Sequence, residues 1–206
     1  MSDLLSHDDG RARCWWPGQD PLYVAYHDHE WGRPVADDSL LFEHLSLEAF
    51  QAGLSWLIVL RKREAFRRAF HGFDPARVAT LGPADVERLM GDAGIVRNRK
   101  KIEAVIHNAA RCLDLQAEAG SLAAFLWRFE APPRPAPTSR ATLPATSPES
   151  HALSAELKRR GWRFTGPTGM YACMQAVGLV NDHLEGCFAR AACEADRRGP
   201  RKRRPR

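Results

Sequence analysis

The chain has 206 residues, with 30 Lys+Arg against 25 Asp+Glu and a formal charge of +5. Seven of those basic side chains, and no acid, fall in residues 197–206, so residues 1–196 carry −2 and the bulk charge identifies no partner. A hydrophobic content of 44% with six tryptophans excludes a globally disordered chain, and the longest nearly apolar stretch, residues 54–60, is far too short to span a membrane.

In chain order, residues 1–13 lack the apolar core of a secretory signal and read as a flexible extension. Asp37, Asp38 and Ser39 cap a predicted helix that runs to about Ala52 and breaks at Gly53. Ser55 caps a second, to about Phe70, with Leu57, Val59, Leu60 and Phe66 on it. Asp74-Pro75 and Gly82-Pro83 each place a proline at a helix start. Asn98 opens a long amphipathic segment through Ala119, with Ile102, Val105, Ile106, Ala109 and Leu113 at helical spacing and Gly120 as its stop. Ser121 starts a short helix to Phe129, Ser147-Pro148 another that ends at Gly161, and a last one runs from about Pro167 to Val177. Residues 131–148 are proline-rich and form an extended connector within a unit of residues 14–196. No period-2 run is present, so the fold class is all-α. The basic tail, residues 197–206, has nothing apolar to bury and is expected to be disordered. Five widely spaced cysteines fit a reducing compartment, and the expected location is the cytoplasm.

Cys14 and His27 lie near the start, and His183 and Cys187 lie near the end as H-x3-C. Two thiolates and two imidazoles suit a closed tetrahedral zinc site, which would be structural because no position stays open for water. By spacing alone, Cys173, Cys193 and His29 are equally available. Between Trp15 and Trp31 there are five large aromatics, Trp15, Trp16, Tyr23, Tyr26 and Trp31, interleaved with His, Asp and Glu. They can wall a pocket for a planar ligand or fill a core. At about 100° per residue Glu48 falls about 20° from Leu41, at the edge of an apolar stripe. It is either solvated or paired, or a partly desolvated carboxyl able to stabilise a cation or act as a base. Residues 91–94 form a glycine-flanked turn, and Arg97, Arg99, Lys100 and Lys101 follow it, which suits a DNA phosphate or a solvated helix face. Walker A, G-x-S-x-G and dinucleotide glycine motifs are absent.

Three strings then converge: Asp20-Pro21-Leu22-Tyr23 with Tyr26-His27-Asp28 and Glu30-Trp31-Gly32; Glu48 with Gln51-Ala52-Gly53-Leu54-Ser55-Trp56; and Met174-Gln175-Ala176 with Gly178-Leu179-Val180-Asn181-Asp182-His183 and Cys187. With Asp92-Ala93-Gly94-Ile95 they resemble the DNA-3-methyladenine glycosylase I family, from about Cys14 to Cys187. The resemblance implies a helix-hairpin-helix DNA glycosylase fold whose termini are joined by one structural Zn2+ on Cys14, His27, His183 and Cys187. It implies Glu48 and Tyr26 as the groups that hydrogen-bond the base, Trp16 and Trp56 as stacking surfaces, Tyr23 nearby, and Leu54 inserting into the base stack. It places Gly91, Gly94, Arg97, Arg99, Lys100 and Lys101 at the DNA backbone. The implied enzyme is a bacterial-type, monofunctional base-excision repair hydrolase that releases 3-methyladenine from alkylated double-stranded DNA. It would act as a monomer with no lyase activity, nucleotide cofactor or membrane. The sequence departs from the family pattern at Ala49, where glycine is expected, and at Gly169, where a second threonine is expected.

Overall fold

A cap residue followed by proline recurs along the chain, and in the computed structural model, which describes residues 3–199, such pairs open five helices. They are α1 (Pro21–His29), α4 (Pro75–Val78), α5 (Pro83–Gly91), α8 (Pro148–Arg159) and α9 (Pro167–Ala176). Proline loses nothing there, since the first-turn N–H has no intrahelical acceptor, and its fixed φ suits the turn. Asp20, Asp74 and Ser147 add side-chain oxygens that accept first-turn N–H groups. The remaining described helices are α2 (Asp38–Gln51), α3 (Trp56–Ala69), α6 (Arg99–Ala119), α7 (Leu122–Leu126) and α10 (Arg190–Arg198).

α2 is the axis of the molecule. Every residue from Leu41 to Phe50 is buried, and α3, α6, α7 and α9 pack around it. Asp37 caps α2 through the Leu40 N–H, while the Asp38 carboxylate accepts the N–H groups of Leu122 and Ala123 and the Gln116 amide, so α7 is tied to the start of α2. Below it, Phe50, Phe66, Phe70 and Phe73 stack in sequence with ring centroids 4.5 to 6.4 Å apart. A helix enclosed in this way holds Glu48 on rigid backbone.

The fold class is mostly helical, as the periodicity implies, but the ends differ from expectation. Within the N-terminal segment, the described residues 3–13 are not simply a flexible lead. Leu4–Ser6 (β1) and Ala12–Cys14 (β2) pair antiparallel, with Leu4 opposite Cys14. The hairpin is pinned by the Phe188 N–H on the Ala12 carbonyl and by the buried Arg13, and strands of three residues are too short to show a period. At the other end α10 continues through Arg198, so the first part of the expected disordered tail belongs to the fold. Arg197 donates to the Ala131 and Leu179 carbonyls and pairs with Glu130, which gives its charge acceptors in place of solvent. Residues 200–206 lie outside the described residues. The proline-rich connector crosses the surface with one short turn at Arg140–Thr142, and Arg134 pins it to Asp182.

Candidate active site and metal centre

Cys14 ends β2, His27 sits in the last turn of α1, and His183 and Cys187 flank the loop before α10. The structure brings all four together in the interior, their donor atoms within 4.8 Å of one another. Cys187 Sγ lies 3.5 Å from both His27 Nε2 and His183 Nδ1, and Cys14 Sγ lies 3.8 Å from His183 Nδ1. A tetrahedron with metal–sulfur bonds of ~2.3 Å and metal–nitrogen bonds of ~2.0 Å has edges of about 3.3–3.8 Å, so the donor set fits a metal ion. The other nitrogen of each ring also has an acceptor. His27 Nδ1 is 2.8 Å from Asp28 Oδ1, and His183 Nε2 is 3.2 Å from the Trp31 carbonyl. Those contacts fix each tautomer with a lone pair toward the cluster. Asp28 is in turn gripped by Arg13 at 2.7–3.1 Å, and Arg13 also holds Asp9 in the N-terminal hairpin. The two sulfurs resist carrying two negative charges at such short range. Hydrogen bonding from Cys14 and the imidazoles holds the Cys187 thiol far below its ordinary range, and the same pairing pushes Cys14 up. A divalent cation between them removes that conflict. His29, Cys173 and Cys193 are outside this cluster.

Next to the Cys/His cluster is a cavity of about 270 Å3, and all five aromatics of the opening segment line it. Trp16 joins the two sites, its ring 5.1 Å from that of His27, 4.8 Å from Tyr23 and 5.1 Å from Trp31. Trp56, the first residue of α3, closes another side with its ring 5.5 Å from Tyr26. Glu48 enters from α2. It is 7% exposed with no hydrogen-bond partner among the described residues, and burial pushes its carboxyl up to about 8. Burial raises the Tyr26 hydroxyl well above its ordinary value, and Glu48 charge adds to the shift; Tyr23 is pushed up to about 12 for the same two reasons. The site is thus an aromatic box with one unpaired carboxyl, suited to a flat cation. Glu48 also borders a second cavity of about 430 Å3, lined by Gly53, Phe164 and Gly169 among others.

A family model for methyladenine glycosylase matches residues 16–190. The chain belongs to the methyladenine glycosylase family. DNA-3-methyladenine glycosylase 1 of Escherichia coli is 50% identical over 177 residues, which cover 85% of this chain and 95% of that one. DNA-3-methyladenine glycosylase of Haemophilus influenzae is 43% identical, with 85% and 96% covered. A Staphylococcus aureus structure, described as the structural basis of 3-methyladenine recognition by 3-methyladenine DNA glycosylase I, superposes with a TM-score of 0.81. It shares 37% identity and covers 84% of this chain and 93% of its own.

In this family member the other expected site residues fall into two groups. Leu54 is 38% exposed beside Gly53, whose φ of +84° makes the sharp exit from α2. Gly91 ends α5, and Gly94 sits so tightly in the following turn that an added Cβ would lie 2.9 Å from Asp92 Oδ1 and 3.0 Å from the Ala65 Cβ. Arg97 and Lys100 are exposed, with no ion-pair partner among the described residues, whereas Arg99 is paired with Glu87 at 2.7 Å. Lys101 departs from the expectation of a backbone contact. It is 7% exposed, and its Nζ donates to the carbonyls of Phe50 at 2.9 Å and Ala52 at 2.6 Å. Its ammonium satisfies the carbonyl end of α2, so it is spent inside the fold. Gly169 lies on α9, where an added Cβ would meet nothing within 4 Å, and α9 still starts at Pro167; Ala49 is buried on α2 without disturbing Glu48. Sequence reasoning assigned no role to Asp28 or Arg13, although the Asp28 position beside His27 carried the signal.

Proposed function

We propose that the chain hydrolyses the N-glycosidic bond of 3-methyladenine in alkylated double-stranded DNA and leaves an abasic site. The observation that carries this reading is Glu48, a lone buried carboxyl in an aromatic box. The names of the relatives supply the substrate class.

Methylation at N3 makes the adenine a cation and a good leaving group, so the protein has no need to protonate it. The work lies in drawing the base out of the stack, which costs a few kcal/mol and less for a weakly paired lesion. Trp16 and Trp56 present π faces, and cation–π attraction grows as water is excluded. The incoming positive charge draws the Glu48 proton off, and the carboxylate then holds the base edge, with Tyr26 giving a further hydrogen bond. Water completes the hydrolysis. No amine nucleophile takes part in this reading, so the strand stays uncut. Leu54 fills the gap that the base leaves, and the turn between α5 and α6 serves as the hairpin whose backbone, with Arg97 and Lys100, meets phosphates. The chain acts as a monomer in the cytoplasm. Zinc is the ion we assign to Cys14, His27, His183 and Cys187, where it supplies cross-linking of the N- and C-terminal segments and no chemistry on the base.

The test is incubation of the protein with methylated duplex DNA, scoring released bases and strand breaks separately. Release of 3-methyladenine with unbroken strands is the expected result. DNA binding without base release would instead make the chain a damage-binding module.

A further inference from the structure

Gln175 is in the pocket wall, yet the proposed function gives it no role. Behind it is a closed polar network. Asp182 is buried, and one of its oxygens accepts the Tyr171 hydroxyl at 2.6 Å and the Gln175 amide nitrogen at 2.8 Å. Its other oxygen accepts from Arg134, which also donates to the Tyr171 hydroxyl at 2.6 Å. A carboxylate paired with arginine offers only acceptors, so the NH2 end of Gln175 must face Asp182, because a flipped amide would set oxygen against oxygen. The carbonyl end is then directed away from the network. Oε1 has no hydrogen-bond donor among the described residues, and Gln175 lines the 270 Å3 cavity.

We infer that Gln175 is a specificity-determining residue: its carbonyl, locked in orientation by Asp182, reads a hydrogen-bond donor on the bound purine and so selects a 6-amino over a 6-oxo base. This rests on the proposed function and sharpens it. An exocyclic amine meets Oε1 as donor to acceptor. A 6-oxo purine with the same methylation brings acceptor to acceptor, leaving a desolvated pair without a proton between them. Asp182 is the positioning residue, acting only through the amide it orients. Arg134 extends the same function to the proline-rich connector, from which it projects.

The experiment is equilibrium binding of two free bases, 3-methyladenine and its 6-oxo analogue 3-methylhypoxanthine, to the full chain and to Gln175→Leu, with thermal melting as the fold control. The wild type is expected to prefer the 6-amino base by about tenfold or more, and Gln175→Leu is expected to lose most of that preference, chiefly by weaker binding of 3-methyladenine. If Gln175→Leu does not fold, Asp182→Asn serves: the amide is then free to turn, and the preference should fall in the same way. An unchanged preference in the variant would overturn the inference and leave selection to Glu48. Equal binding of both bases by the wild type would also overturn it. No binding of either base would also overturn it, while release of 3-methyladenine from methylated duplex DNA tests the proposed function separately.

Discussion

Glu48 has the most consequential environment of any single residue in the chain. Its carboxyl is raised from 4.5 to about 8 by burial, so the folded state holds a proton that the unfolded state has released. For an acid shifted upward, the associated stability is fully present below about pH 4.5 and is lost as the pH rises toward 8. Glu48→Gln removes that loss. Chemical denaturation should therefore show the variant gaining on the wild type between pH 5 and pH 8.5, by roughly 3–5 kcal/mol at the upper end. A constant difference across that range would mean that the carboxyl is not desolvated. Cys187 is the second residue whose role can be isolated. Cys187→Ser should lower the metal content from about one per chain and reduce stability by more than about 2 kcal/mol. Metal analysis beside melting checks it, and unchanged metal would refute the ligand assignment.

At the scale of elements, the turn between α5 and α6 shows how one basic cluster divides into different roles. Lys101 shares a helix face with Val105, Asn108 and Cys112, which lie four, seven and eleven residues on and are all buried. The periodicity therefore contained the answer, but a run of basic residues reads as surface unless phase is followed through it. Arg97→Ala and Lys100→Ala should each lower the salt dependence of duplex binding, by about 0.9 in the log–log slope for each phosphate no longer neutralised. Lys101→Met should leave that slope alone and cost about 1–3 kcal/mol of stability, because two carbonyls at the end of α2 lose their donor. Salt titrations of the three variants separate the roles, and an equal slope change in Lys101→Met would contradict the burial argument. Other elements were legible for plain reasons: α3 and α6 carry apolar periods, and α2 and α6 open on side-chain caps at Asp37 and Asn98. α1 and α10 were not, since α1 mixes aromatic, His and Asp residues along nine positions and α10 buries little beyond Cys193.

Across the whole molecule, the Cys/His cluster makes neighbours of chain segments that are far apart in sequence. Cys14 and Cys187 are held against each other, with Arg13, Asp28 and Asp9 behind them. The family resemblance pointed to the four residues that cluster, but spacing alone left Cys173, Cys193 and His29 as equals. Only the fold separates them, because chelation depends on where loops return and not on how far apart residues lie in sequence. The opening charge also divides at this scale. Arg197 belongs to the fold, whereas the basic run from Arg201 to Arg206 lies outside the described residues. Truncation after Gly199 should weaken duplex binding at low salt and leave the choice of excised base unchanged; a changed product spectrum would contradict that division. No described helix is long and apolar enough to cross a membrane. The role proposed for Glu48 is release of a cationic base held in an aromatic box by a buried carboxyl. It is tested most directly by single-turnover release of 3-methyladenine from methylated duplex DNA by wild type and Glu48→Gln, with metal content and melting measured on both. Release by the wild type is expected, with a loss of at least about tenfold in a variant that keeps its metal and its fold; equal release by the two proteins would overturn that role.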